Sequence, residues 1–477
     1  MKFLIKIFFL FGISVASAFC KSLVATNSNE IREICKEVKP GDVILMKNGI
    51  WENQDILFSA SGTTNNPITL KAETPGKVIL NGTSRLKIAG KYLVVDGLCF
   101  NGGNIEGGSV IEFRGGKIES DYCRLTNCSI ENYGVLDGEA DSKWISLYGT
   151  HNRVDHCFTK NKKNSGCLLV IWVSDKPNYH LIDSNYFAFR PKLGFNGAEI
   201  IRVGTSEVSM NSSCTIVEHN YFEDCDGETE IISNKSDYNT YRYNTFVRCQ
   251  GTLTLRHGNY CLVEGNFFFG QHVKGTGGIR IIGEGHTVTN NYLEGLEGQN
   301  IFSAIAFMNG VKNSAANRYF QVKNAVVAFN TLVNNKHNIT IGVGANSELT
   351  LAPDNCIIAD NIIYGTKENL INEISTPLNL KWERNILFGA PLGVDVQDGL
   401  FIVNPGLQRS PDGLWRITKQ SPAVGNAKGE YPLVKLDIDG QVRKGDKDIG
   451  CDQLSDEPVN NKPMNKSNTG PIWMRNE

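Results

Sequence analysis

Between residues 228 and 256 the chain sets out two glutamates, Glu228 and Glu230, then Lys235, then Arg256. The sequence reads GETEIISNKS, passes through a strand-like run and ends in LRHG. Carboxylates are hard oxygen ligands for a divalent cation, an amine is a Brønsted base, and a guanidinium binds or protonates an anionic group. These are the parts needed to break a chain of acidic sugars by β-elimination. Taken singly, a Glu-x-Glu pair is ordinarily two solvated carboxylates, and a lone Lys or Arg ordinarily serves solubility. The group gains weight from the repeats in which it is set.

One phrase recurs: β-prone residues, an Asn, two or three apolar or aromatic residues, then polar residues or Gly. It is seen at HLIDSNYFAF (Asn185), CTIVEHNYFEDCDG (Asn220), TYRYNTFVRCQG (Asn244), CLVEGNFFFG (Asn266) and TVTNNYLEG (Asn291). An earlier copy surrounds Asn127, and later ones surround Asn330, Asn361 and Asn385. Steps from Asn220 to Asn291 are 24, 22 and 25 residues, while the steps of 35 to Asn220 and 39 to Asn330 imply loop insertions. A period in the low twenties, made of short strands and turns without helical spacing, predicts an all-β chain folded as a right-handed parallel β-helix. Asn at a fixed turn tolerates left-handed backbone angles and can bond its counterparts in adjacent coils. Loops on one side of such a solenoid are where a groove is built.

The boundaries follow. Residues 1–18 have a lysine-bearing start, an apolar run and Ala16-Ser17-Ala18, the pattern of a signal peptide cut after Ala18. The protein is thus expected to be exported, periplasmic or secreted, with a lipid anchor at Cys20 as the alternative. Residues 19–454 form the solenoid, and the Asn-, Lys- and Pro-rich segment 455–477 is expected to be a loosely packed polar tail. Exposed strand edges need a cover, and Ser28 to Val38, with Ile31, Ile34 and Cys35 at helical spacing, is predicted as an amphipathic capping helix. A formal net charge of -2 in 477 residues argues against a nucleic-acid partner. Thirteen cysteines, an odd count without compact spacing, read as buried free thiols such as Cys128, Cys157, Cys225, Cys249 and Cys261, not as a disulfide framework.

Residues one period apart lie on one face of neighbouring coils, ~4.8 Å apart per coil. Glu228 and Glu230 are expected to alternate along a strand and share a side, and Asn196, Lys235, Arg256 and Arg280 to join them at coil spacing. NGAEIIRVG (196–204), E-x-E-I-I-x-x-K-S and R-H-G, with the earlier KPGDVILMKNGIW and NPITLKAETPGKVILNG, resemble polysaccharide lyase family 6, which contains alginate lyases and dermatan-sulfate-cleaving chondroitinase B enzymes. The resemblance covers most of the chain after the leader. It implies Ca2+ held by Asn196, Glu228 and Glu230, Lys235 as base and Arg256 as acid. It also implies substrate contacts at His257 and Arg280, with Arg202 and Arg318 as further candidates. The implied partner is an anionic polysaccharide met by a monomer. GGIR, which carries Arg280, resembles the alginate-cleaving members more than those that cleave dermatan sulfate. Rival readings are a β-helical glycoside hydrolase built on acids such as Asp224 and Asp226, and a non-catalytic carbohydrate-binding β-helix, for which Lys235 has no purpose. Asp437-Ile438-Asp439-Gly440 lacks the later ligands of a calcium loop and reads as a turn.

Overall fold

The computed structural model describes residues 20–134, 141–365 and 368–475. The leader expected at 1–18 lies outside them, and no helix among the described residues is long and apolar enough to cross a membrane. The chain is a parallel β-helix. Among the described residues three sheets of fourteen strands run along it, apart from a separate two-stranded hairpin of Gln408–Arg409 with Trp415–Arg416, and in the middle of the solenoid each coil adds a strand to the first, second and third sheet in turn. Period-two alternation turns one side of every strand inward, where Val217, Tyr241, Val263 and Val288 stack in register. On the second sheet Phe187, Phe222, Phe246 and Phe268 stack at centroid spacings of 4.9, 4.6 and 4.5 Å.

The asparagine repeat is a buried ladder at the corner between the first and second sheets. Asn220 Nδ2 donates to Asn244 Oδ1 at 3.0 Å, Asn244 to Asn266 at 3.0 Å and Asn266 to Asn291 at 2.9 Å. The left-handed backbone expected at these asparagines belongs instead to the residue before each: His219 (φ 53°), Tyr243 (φ 56°) and Asn290 (φ 54°). That residue makes the corner, and the Asn after it points inward to join the ladder. Asn127 itself takes the corner (φ 57°), so Cys128 holds the ladder position in its coil.

The cap is shorter than predicted. It spans Ser28–Ile34, with Asn27 accepting the Glu30 N–H at 3.0 Å and Ile31 buried. The tail is not loose. It runs back along the second sheet: Met464 N–H bonds Thr245 Oγ1 at 2.8 Å, Gly470 N–H bonds the Ser184 carbonyl at 2.9 Å and Ile472 N–H bonds Asn127 Oδ1 at 2.8 Å. Composition suggested disorder, but the tail's amides find acceptors that the corner residues leave open. All thirteen cysteines are free, and the five singled out in the sequence are buried.

Candidate active site

The third sheet carries the site. Ile201, Ile232, Leu253 and Ile279 are in register and face the core, as are Val203, Asn234, Leu255 and Ile281. The residues between them, Arg202, Ser233, Thr254 and Arg280, therefore form an outward row in which two small residues separate two arginines. The strand Glu230–Lys235 departs from this regularity at both ends. Its register with Thr252–His257 slips after Glu230 and again after Asn234, so Lys235 lies opposite His257 and Arg256 is the extra residue of a bulge. A bulge re-aims a side chain, which is why Arg256 and Arg280 approach one carboxylate although they are not register partners. Buried Asn234 fastens this end: its Nδ2 donates to the His257 carbonyl at 2.7 Å, and its Oδ1 accepts from Tyr241 OH at 2.7 Å and Asn239 Nδ2 at 2.8 Å.

At the other end of the strand the acids gather. Glu228 lies in the turn before Glu230, so the two do not alternate along one strand as expected. Glu228 accepts the Gly197 and Ala198 amides, and burial, followed by the charges of Glu199 and Glu230, pushes its carboxyl up to about 8. Glu228 Oε1 and Glu199 Oε2 are both buried with no hydrogen-bond partner. Asn196 and Glu228 line an open cavity of about 440 Å3 together with Lys192, Phe195 and Gln250. Orphaned buried carboxylate oxygens are costly. A hard cation taking amide and carboxylate oxygens would satisfy them, so Asn196, Glu199 and Glu228 fit such an ion. Among the described residues no group of three or more His, Cys, Asp or Glu side chains is arranged to hold a metal by itself, so the Asn196 amide and outside oxygens are needed. Glu230 is turned toward the basic side, 3.5 Å from Arg280 Nη1 and 3.9 Å from Arg256 Nε.

The basic end is built by an insertion. Tyr319, in the loop after the strand Ile305–Met308, lies under Arg256, whose Cζ is 4.1 Å from the ring centroid, and its hydroxyl accepts from Arg280 Nη2 at 3.3 Å. Arg256 Nη1 also donates to the Arg318 carbonyl at 2.9 Å. Burial holds the Arg256 guanidinium below its ordinary value, the direction that eases proton release. The side-chain amine of half-buried Lys235 makes no hydrogen bond or ion pair among the described residues.

The structure thus brings Glu230, Arg256 and Arg280 together and gathers Asn196 and Glu228 beside them. His257 is only 1% exposed, with Nε2 3.2 Å from Ser206 Oγ and Nδ1 3.4 Å from Arg256 Nη1. Burial and the nearby charges of Arg256 and Lys235 hold it down to about 3, so it is a neutral prop for Arg256 and not an open contact surface. The Arg318 side chain is engaged with Glu348, and only its carbonyl reaches the site. Arg202 stands with its Cζ 5.7 Å from the Trp172 ring centroid. The acids of the hydrolase reading are occupied, Asp224 by Arg248 at 2.9 Å and Asp226 by the Gln250 amide at 2.8 Å. Asp437 accepts the Asp439 and Gln441 amides as a turn. Sequence reasoning missed Glu199 and Tyr319. Glu199 sits three residues after Asn196 in the quoted motif and could have been found there, whereas a lone aromatic in an insertion gives no signal.

The chondroitinase B family model matches residues 25–413. No curated protein matches. Among solved structures, the PL6 family alginate lyase AlyGC is 38% identical, with a TM-score of 0.83 over 95% of this chain and 58% of its own, so the chain spans less than two thirds of that relative's length. A mannuronic acid specific polysaccharide family 6 lyase from human gut microbiota is 34% identical, with a TM-score of 0.70 over 77% of this chain and 86% of its own. The PL6 family polysaccharide lyase Pedsa3628 from Pseudopedobacter saltans is 27% identical, with a TM-score of 0.71 over 94% of this chain and 99% of its own. A family match across most of the solenoid, with the strand-borne motif intact within it, makes this chain a member of polysaccharide lyase family 6, the family of chondroitinase B.

Proposed function

We propose that the protein is an exported lyase that cleaves a uronate polymer, alginate before dermatan sulfate, by β-elimination with Ca2+ as its cofactor. The observation that carries this reading is a single strand with unsatisfied carboxylate oxygens gathered at one end and an unpaired amine near a half-buried guanidinium at the other. A hydrolase would instead need two free acids and a water. Solved relatives described as alginate lyases favour alginate, and the family's chondroitinase B description keeps dermatan sulfate as the second reading.

Asn196, Glu199 and Glu228 would hold the cation, with Glu230 at its margin. When bound, it supplies positive charge that offsets the uronate carboxylate and so acidifies the C5 proton. Lys235, in its uncharged form, takes that proton. The C5–H electron pair becomes the C4=C5 double bond, and the C4–O bond breaks. The departing oxygen receives a proton from Arg256 or from water, leaving one new end and one unsaturated sugar. Arg280 and Tyr319 fix Arg256 and the leaving side, while His257, kept neutral, adds no competing proton donor.

Purified protein incubated separately with alginate and dermatan sulfate, with and without a chelator, tests the reading. Rising ultraviolet absorbance from the unsaturated product is expected with alginate and is expected to drop on chelation. Lys235→Ala should lower kcat at least ~1000-fold with an unchanged melting temperature. Saturated product ends, or full turnover by Lys235→Ala, would overturn it.

A further inference from the structure

The register of the third sheet extends from Lys235 toward the amino-terminal end of the solenoid, and the residues it meets there have no part in the elimination. Val203 pairs with Asn234, Ile171 with Val203 and Leu147 with Ile171, all on the core side. Their successors, Gly204, Trp172 and Tyr148, therefore continue the outward file that begins at Lys235. Glu112 pairs with Ser146, which brings Arg114 to the next place. The file is a physical stack: the Arg114 Cζ lies 3.7 Å from the Tyr148 ring centroid, and Tyr148 and Trp172 stack at 5.8 Å with planes 13° apart. Arg202, one place away in the strand, closes the other side of Trp172 at 5.7 Å.

Gly204, one coil from Lys235, interrupts the file with no side chain. Its φ is 85°, and a Cβ there would meet the Lys235 carbonyl oxygen at 2.5 Å. One coil therefore presents bare backbone between the reacting amine and the first aromatic ring. Beyond it, half-buried aromatics with a guanidinium at each end offer apolar edges and positive charge in alternation, which suits a pyranose chain carrying a carboxylate on every ring. Arg202 has no ion pair among the described residues and is free to take such a carboxylate, whereas Arg114 is partly engaged by Glu112 at 2.7 Å. With each coil advancing ~4.8 Å, Trp172 stands ~10 Å and Arg114 ~19 Å from the Lys235 strand.

We propose that Trp172, Tyr148 and Arg114 extend the substrate contact already expected at Arg202 into a binding stripe for the part of a uronate polymer that runs from the cleavage point toward the amino-terminal end of the solenoid. The stripe makes the enzyme favour long chains over short ones. This inference rests on the lyase reading and deepens it.

The test is kcat/KM on a series of uronate oligosaccharides from the shortest that is cleaved up to about ten residues, measured by ultraviolet absorbance for wild type, Trp172→Ala and Tyr148→Ala. Wild type should gain efficiency with length, and the long-to-short ratio should fall about fivefold in Trp172→Ala. Tyr148→Ala should lower the ratio only for oligomers one coil longer, and it serves alone if Trp172→Ala fails to fold, as judged by its melting transition. An active enzyme whose folded variants keep the wild-type ratio would overturn the stripe and leave the lyase reading standing. Wild type that yields no unsaturated product from alginate or dermatan sulfate would take both down.

Discussion

At the residue scale, the site is a balance of groups whose charge burial opposes. Glu228 is raised from 4.5 to about 8, so between those values the unfolded chain ionises it while the folded chain retains its proton. The folded state then binds more protons, and stability falls as pH rises through that window. His257 has the opposite sense: lowered from 6.5 to about 3, it costs stability as pH falls from 6.5 toward 3, because only the unfolded chain takes up the proton. Above pH 6.5 only the Glu228 effect of the two remains. Cation-free Glu228→Gln should therefore melt higher than cation-free wild type at pH 8 and nearly with it at pH 4. Added Ca2+ should raise the melting temperature of wild type at pH 8 and do little for the variant. A calcium-induced rise of equal size in both, read by scanning calorimetry, would remove Glu228 from the cation site. The grouping of Glu230, Arg256 and Arg280 was legible because these residues recur at coil spacing. The distribution of roles was not, because it depends on which atoms are left without partners: Glu199 gains meaning from an orphaned oxygen, and His257 loses its contact role through burial.

At the scale of elements, the coil was legible because its period is written in one residue type, and the ladder it forms makes a graded prediction. Asn266 is fully buried; its Oδ1 accepts from both the amide and Nδ2 of Asn244, and its Nδ2 donates to the Tyr241 carbonyl at 2.9 Å. Truncation strands several buried groups at once, so Asn266→Ala should cost about 3 kcal/mol or more in chemical denaturation. Cys128 holds the same ladder position but makes only weaker sulfur contacts, at 3.3 Å with the Leu98 amide and 3.2 Å with the Thr126 carbonyl. Cys128→Ala should cost roughly 1 kcal/mol. Equal losses would mean that the ladder adds little beyond filling space. The bulges that place Arg256 and Lys235 were not legible, since a register slip leaves the spacing of residue types almost unchanged and is set by one inward Asn, Asn234, among many outwardly similar ones.

At the scale of the whole molecule, a solenoid stacks neighbour on neighbour and has few contacts that join distant coils. The tail supplies some of them. From Cys451, whose amide bonds Thr331 Oγ1 at 3.0 Å, the chain travels back past Thr245 and Ser184 to Asn127, where Trp473 Nε1 donates to the main-chain carbonyl at 2.9 Å. Trp473 also packs at Gly76, where any Cβ would come within 2.7 Å of the indole. Met474 and Arg475 roof a cavity of about 280 Å3 over Phe158 and Tyr186. The strap therefore ties coils that follow the candidate site in sequence to coils that precede it, across the sheet adjoining the one that carries that site. In one-dimensional arrays such long ties increase cooperativity, because local opening at either end must also release the tie. Deleting residues 462–477 should lower the melting temperature and broaden the transition, and hydrogen exchange should quicken near Phe158 and Tyr186 while the ladder amides around Asn266 stay protected. Protection unchanged at Phe158 and Tyr186 would show that the strap rests on the solenoid without bracing it.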